Sequence, residues 1–262
     1  MILAVKIGND RISFGVFENS DRTEVLHRFE ISADIKKTAD EYSCFIREMT
    51  LSYGLSLSDI DGAILSSVVP CLTKTISETV KKLVGIQPMI VGPGVKTGFP
   101  IKTDNPSELG ADLVANAAAI VLDKDPKVPA IIIDMNTATT IFAINKKGEY
   151  IGGCILPGIR TSFDSLRDST ALLPNVSISV PDKAIGKNSA DCVRSGVILG
   201  KAIMIDGFIE RIESEMGCSD GEANLFSTGE YAELLVGILK RKVNYVEDLT
   251  LNGLLRIYKK NQ

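Results

Sequence analysis

The segment AIIIDMNTATTIFAI, which begins at Ala130, repeats the pattern of ILAVKIGNDRISFGVF, which begins at Ile2. Each copy is a run of β-branched and apolar residues, a tight polar turn and a second such run. Laid over one another, the two copies bring Lys6 onto Asp134, Gly8 onto Asn136 and Gly15 onto Ala143. A third strand-like run follows each copy, near Glu24–Ile31 in the first and Tyr150–Leu156 in the second. A duplicated supersecondary unit restricts the chain to architectures with two similar lobes and a central cleft, the usual place for a ligand.

Between the copies the pattern alternates. Ile35, Ala39, Tyr42, Phe45, Ile46, Met49 and Tyr53 recur at three- and four-residue steps, so Ala33–Tyr53 reads as an amphipathic helix closed by Gly54. A buried strand at Ala63–Val69, a helix after Pro70 and a strand at Met89–Val91 follow. Asn105 and Pro106 offer the cap and first position of a helix running through Leu122. Later, a strand over Asn224–Ser227 leads through Thr228 and Gly229 into another helix. This order predicts an α/β protein.

Composition removes several function classes. Lys plus Arg number 29 against 33 Asp plus Glu, a net charge of −4, so no broad basic surface awaits a nucleic acid. His27 is the single histidine; a multi-histidine metal site is excluded and a catalytic triad is hard to build, so acid–base work falls to carboxylates or lysines. Beside Arg28, His27 itself reads as a surface residue. Cys44, Cys71, Cys154, Cys192 and Cys218 form no CxxC pair and read as reduced, mostly buried thiols of a cytoplasmic protein. The apolar opening meets Lys6 and Asp10 far short of the ~20 residues of a membrane span, so no membrane partner is expected.

Two places could carry chemistry. Thr137 to Thr140 form a TATT turn whose successive backbone N–H groups suit an anion, although threonine also simply favours strands. Gly152-Gly153 and Leu156-Pro157-Gly158 could close the same site or merely punctuate loops, and the Thr228-Gly229 turn could receive a nucleotide or only connect two elements. Asp112, after the small residues Gly110 and Ala111, could orient a hydroxyl as general base, or could be an ordinary first-turn acid.

The strings GPGVKTGFPIKTDNPSELGADLVANAAA, IDMNTATTIFAI, GGCILPGI followed by TALLPNV, GKNSADCVRSG and DLTLNGLLRIYKKN resemble, in order and spacing, the motifs of type III pantothenate kinases, relatives of the Bvg accessory factors. The resemblance runs from Met1 to Asn261. It implies two ribonuclease-H-like lobes of the acetate-kinase, hexokinase, actin and Hsc70 superfamily, an N-terminal lobe over 1–116 and a C-terminal lobe over 117–262, with the last helix packing back towards the first. It implies a homodimer that transfers the γ-phosphate of ATP to the pantothenate hydroxyl, the first step of coenzyme A synthesis, using Mg²⁺ and a monovalent cation, K⁺ or NH₄⁺. By the same resemblance Asp112 is the catalytic base. Lys6, Asn9, Asp10, Thr137, Thr139 and Thr140 lie at ATP phosphate positions, Thr103, Gly110, Leu113 and Ser189 at substrate positions, and Asp134 at the monovalent cation.

The chain departs from the family's pattern where chemistry is closest. Lys6 stands where the family has its first-hairpin aspartate, Asp10 replaces Thr or Ser, Asn136 replaces the second-turn glycine, Leu113 replaces an arginine, and Thr103 occupies what looks like a tyrosine position. Lys6 either places its charge on the phosphates or pairs with Asp134. An asparagine at position 136 is expected to keep the turn, since it tolerates positive φ better than most residues. Two further readings stay open: a catalytically silent paralogue with a binding or regulatory role, and a kinase for another small hydroxyl compound.

Overall fold

The computed structural model describes residues 1–19 and 24–262. In chain order it contains β1 (Ile2–Ile7), β2 (Arg11–Phe17), β3 (Val25–Ser32), α1 (Ala39–Ser52), β4 (Gly62–Ser67), α2 (Pro70–Val84), β5 (Met89–Ile90) and α3 (Ala111–Val121). There follow β6 (Ala130–Met135), β7 (Ala138–Ile144), β8 (Tyr150–Pro157), α4 (Ile159–Ser169), α5 (Ser189–Arg194), α6 (Gly200–Glu215), β9 (Asn224–Thr228), α7 (Ala232–Val236), β10 (Asn244–Tyr245) and α8 (Leu249–Lys260). Two compact units result, one of Met1–Pro100, Asp104–Pro126 and Asp248–Gln262, the other of Ile101–Thr103 and Lys127–Glu247. Residue 116, the expected boundary, lies inside α3, and the chain passes to the second unit after Pro126.

The two sheets have one topology. In the first unit the strand order is β3-β2-β1-β4-β5, in the second β8-β7-β6-β9-β10. Each is an antiparallel three-strand meander continued by two parallel strands, the ribonuclease-H-like arrangement that the family resemblance implies. Lys6 pairs with Ser13 on β2 and Ser66 on β4; Asp134 pairs with Thr140 on β7 and Thr228 on β9. Lys6 and Asp134 are therefore equivalent positions of the two sheets. The expected match of Gly15 with Ala143 slips by one. Ile7 pairs with Ile12 across residues 8–11, but Met135 pairs with Thr139 across 136–138 only, so Gly15 corresponds to Phe142.

Each sheet carries its own core. Leu3, Val5, Ile7, Phe14 and Leu65 turn to one face of the first sheet, with α1 and α2 supplying Tyr42, Ile46, Leu72 and Ile76. Ile131, Ile133, Met135 and Ile141 do the same in the second, against Ile198, Ile205 and Ile209. On the opposite face of the first sheet lies α8. A Cβ on Gly15 would touch Leu251 at 3.1 Å, and one on Gly62 would strike the Tyr258 hydroxyl at 2.1 Å. Helix α8 also packs on α3 so closely that a Cβ on Gly253 would stand 1.7 Å from the Ala115 carbonyl oxygen. The buried Thr250 hydroxyl donates to Asn116 Oδ1 at 2.7 Å in the same interface.

Two helices begin later than the sequence predicts. Thr38 and Glu41 form a capping box, each side chain accepting from the other's backbone N–H, so α1 starts at Ala39 and not at Ala33. Asn105 caps only a single 3₁₀ turn over Pro106–Glu108; Leu109 is extended, and α3 opens afresh from Gly110. No helix among the described residues is long and apolar enough to cross a membrane. The cysteines are not mostly buried as expected: Cys44, Cys71 and Cys192 are exposed and Cys154 and Cys218 partly so.

Candidate active site

The first hairpin is a narrow turn at the end of β1. Gly8 N–H donates to the Arg11 carbonyl at 2.9 Å, and the Asp10 carbonyl accepts from Ala33 N–H at 3.0 Å, which ties the turn to the chain leaving β3. Asn9 and Asp10 are exposed at its tip. Lys6 is partly buried, and it makes no hydrogen bond or ion pair with any described residue. Beside it in register, the Ser66 hydroxyl is buried without a hydrogen-bond partner.

In the same unit, the late start of α3 makes Asp112 the second residue of the helix, where first-turn N–H groups favour a carboxylate. Its Oδ1 accepts from Leu113 N–H at 2.8 Å. A Cβ on Gly110 would lie 2.7 Å from that oxygen, so Gly110 is the small residue that lets the carboxylate fold over the helix start. Asp112 and Leu113 are both partly exposed.

The second unit surrounds its hairpin more tightly. Asp134 is 3% exposed, and Asn136 donates its side-chain amide to Asp134 Oδ1 while its own Oδ1 accepts from Glu230 N–H at 3.2 Å. Asn136 N–H closes the turn on the Ala138 carbonyl at 3.0 Å. The turn persists as expected, but without positive φ: no described residue other than glycine has it. The asparagine side chain stitches the turn from inside, which a glycine could not do.

Two glycines press neighbouring turns onto this hairpin. A Cβ on Gly158 would lie 2.2 Å from the Asn136 carbonyl oxygen and 2.4 Å from that of Thr137; one on Gly229, at φ 102°, would lie 2.7 Å from Met135 backbone atoms. The Thr137 carbonyl then accepts from Gly158 N–H at 3.0 Å and from the Thr161 hydroxyl at 2.7 Å. Leu156-Pro157-Gly158 and Thr228-Gly229 thus converge on the TATT turn. Gly153 does not: it packs on the Ile141 carbonyl within the β7–β8 ladder.

Thr139 and Thr140 point to opposite faces, since neighbours alternate along a strand. Thr140 shares the face of its partner Asp134, and Thr139 that of Met135. Both hydroxyls are buried without a partner. Thr137 is exposed at the tip, and Ser189, exposed, opens α5 behind its cap Asn188. Thr103 also belongs to this unit; its buried hydroxyl has no partner, and Lys102 N–H donates to the Tyr150 carbonyl at 2.8 Å next to it.

Three residues here escape sequence reasoning. Arg160 Nε donates to the Tyr231 hydroxyl at 2.9 Å, which joins the start of α4 to the turn after β9. Lys201 on α6 is 2% exposed and donates from Nζ to the Pro157 carbonyl; burial pushes its pKa down. No spacing rule marks a lysine as buried, since only the packing of α6 on the second sheet makes it so.

The family model for type III pantothenate kinase matches residues 2–211. A type III pantothenate kinase of Moorella thermoacetica is 40% identical over 265 residues, covering all of both chains. This chain belongs to the type III pantothenate kinase family. Among solved structures, a Baf family transcriptional activator from Campylobacter jejuni has a TM-score of 0.63 at 19% identity, covering 99% of this chain and 98% of that one. The inorganic polyphosphate/ATP-glucomannokinase from Arthrobacter has a TM-score of 0.50 at 11% identity, covering 99% and 98%. These two likenesses concern the fold, and they agree with the paired ribonuclease-H-like sheets.

Proposed function

We propose that the protein transfers the γ-phosphate of ATP to the hydroxyl of pantothenate, the first step of coenzyme A synthesis. The full-length 40% identity to a type III pantothenate kinase is the observation that carries this reading. Asp112 acts as general base. Its carboxylate takes the hydroxyl proton as that oxygen attacks the γ-phosphorus; the new O–P bond forms, the bond to the β,γ-bridging oxygen breaks, and ADP leaves. The Asn9-Asp10 tip and the Thr137, Thr139 and Thr140 turn bind the nucleotide's phosphates, and the unpartnered buried hydroxyl of Thr140, on the Asp134 face, supports that role. Gly110, Leu113, Thr103 and Ser189 contact pantothenate.

Asp134, a buried carboxylate on the second hairpin, is an oxygen donor that fits a monovalent cation and would hold K⁺ or NH₄⁺, whose charge would offset that of the phosphates. Mg²⁺ does not fit the first hairpin: an ammonium occupies the equivalent position, and no group of three or more His, Cys, Asp or Glu among the described residues could hold a metal. Adjacent exposed apolar side chains on α6, Ile203 at 69% and Met204 at 43%, support a homodimer. A cytoplasmic address suits this substrate.

The deciding assay is ATP-dependent phosphorylation of pantothenate by the purified protein with K⁺ and Mg²⁺. Turnover of about 1 per second or more is the expected result, within the ordinary range of enzymes. Nucleotide binding without phosphorylation of pantothenate would refute the proposed activity.

A further inference from the structure

We infer that Lys6 takes the place of a protein-held divalent cation, so that this chain binds a nucleotide's phosphates through an ammonium and does so without Mg²⁺. The inference rests on the nucleotide-binding part of the proposed function. It starts from a partly buried lysine that has no partner among the described residues. Removing a cation from water without a counter-charge is unfavourable, so such a lysine is explained best by an anion that arrives from outside.

Its surroundings point the same way. Lys6, Ser13 and Ser66 are register partners on one face of the first sheet, the face opposite the core built on Val5 and Ile7. The Ser13 hydroxyl already donates to Glu30 at 2.8 Å, whereas the Ser66 hydroxyl, 1% exposed, has no partner. A buried, unused hydroxyl beside an unused ammonium is a donor pair with no acceptor. Phosphate oxygens are acceptors only, and a charge-assisted contact to an ammonium is the strong form of that bond.

Helix α8 adds to the polarity. Leu251 lies under Gly15, which pairs with Ala4, and Tyr258 lies under Gly62, which pairs with Ile2. The helix therefore runs against β1, and its N-terminal turn is directed towards the Lys6 end of that strand. A helix N-terminus disfavours a cation and favours an anion, and the Asp248 carboxylate at this one is engaged by Arg28 at 3.4 Å. An incoming anion would therefore be welcomed at Lys6. In the second sheet the equivalent position is the acid Asp134, flanked by the unpartnered Thr140 hydroxyl. The two sheets present opposite charges at matched places, so cation binding is assigned to the second and direct phosphate binding to the first.

Calorimetric titration of the full chain with the non-hydrolysable analogue AMPPNP, in K⁺ buffer with Mg²⁺ or with EDTA, tests this. Wild-type protein is expected to bind with affinities differing by less than about threefold between the two buffers. Lys6→Ala should weaken binding in EDTA by roughly tenfold or more, the usual scale of a lost charge-assisted hydrogen bond. Lys6→Asp should bind only with Mg²⁺, and circular dichroism melts confirm that both variants fold. Wild-type binding that demands Mg²⁺, or a folded Lys6→Ala that binds normally in EDTA, overturns the inference and leaves the proposed kinase standing. Wild-type protein that binds AMPPNP in neither buffer removes both.

Discussion

Asp112 and Leu113 are adjacent on the first turn of α3, yet they bear on different parameters of the proposed reaction. Asp112→Asn keeps the shape and removes the base, so kcat should fall by about 10²- to 10⁴-fold with nucleotide affinity unchanged. An unchanged kcat in steady-state assays would disprove its role. Leu113→Arg supplies a guanidinium able to grip a carboxylate in two-point fashion, worth on the order of 1.5–3 kcal/mol. Its expected signature is a KM for pantothenate lowered roughly tenfold with little change in kcat. Lys201 makes a prediction about pH. Burial holds its folded pKa below the unfolded value, so the unfolded chain binds that proton more tightly, and stability rises with pH from the folded pKa up to about 10.4. Denaturant titrations across that interval should show the rise in wild-type protein and a flatter profile in Lys201→Met.

At the scale of elements, the contact between α3 and α8 is the most sharply constrained. Gly253→Ala would drive a methyl group into the Ala115 carbonyl, so the helices must separate, at a cost of roughly 1–3 kcal/mol or more. Urea unfolding measures it, and an unchanged midpoint would contradict the packing described. The strands were legible in the sequence because β-branched runs bounded by polar turns are local signals; β1 and β2 together fill the first copy of the repeat, from Ile2 to Phe17. Helix starts were harder to read. Ile35 keeps the apolar period but is 68% exposed, and the Thr38–Glu41 capping box, also present in the sequence, decides the matter. The register slip at Gly15 came from a turn shorter by one residue, which pattern alignment without gaps cannot register. The convergence of Gly158 and Gly229 on the second hairpin joins segments remote in sequence, so only the folded chain reveals that those glycines are irreplaceable.

For the whole molecule, duplication explains why two similar sheets can diverge in charge at one matched position without loss of fold: Lys6 and Asp134 both sit on a face away from the cores that hold each sheet together. The proposed homodimer has a direct check. Sedimentation should give twice the 28.2 kDa chain mass, and Ile203→Asp should shift the protein towards monomer while its melting temperature holds. A monomeric wild-type protein would refute the assembly. One further consequence follows from the position of α8, which seals the first sheet although it is encoded after every strand of the second. During synthesis the earliest-made half must wait, its hydrophobic underside uncovered, until the ribosome has finished the other half. A released chain truncated at residue 247 should therefore recruit chaperones to its oldest segment while its youngest folds.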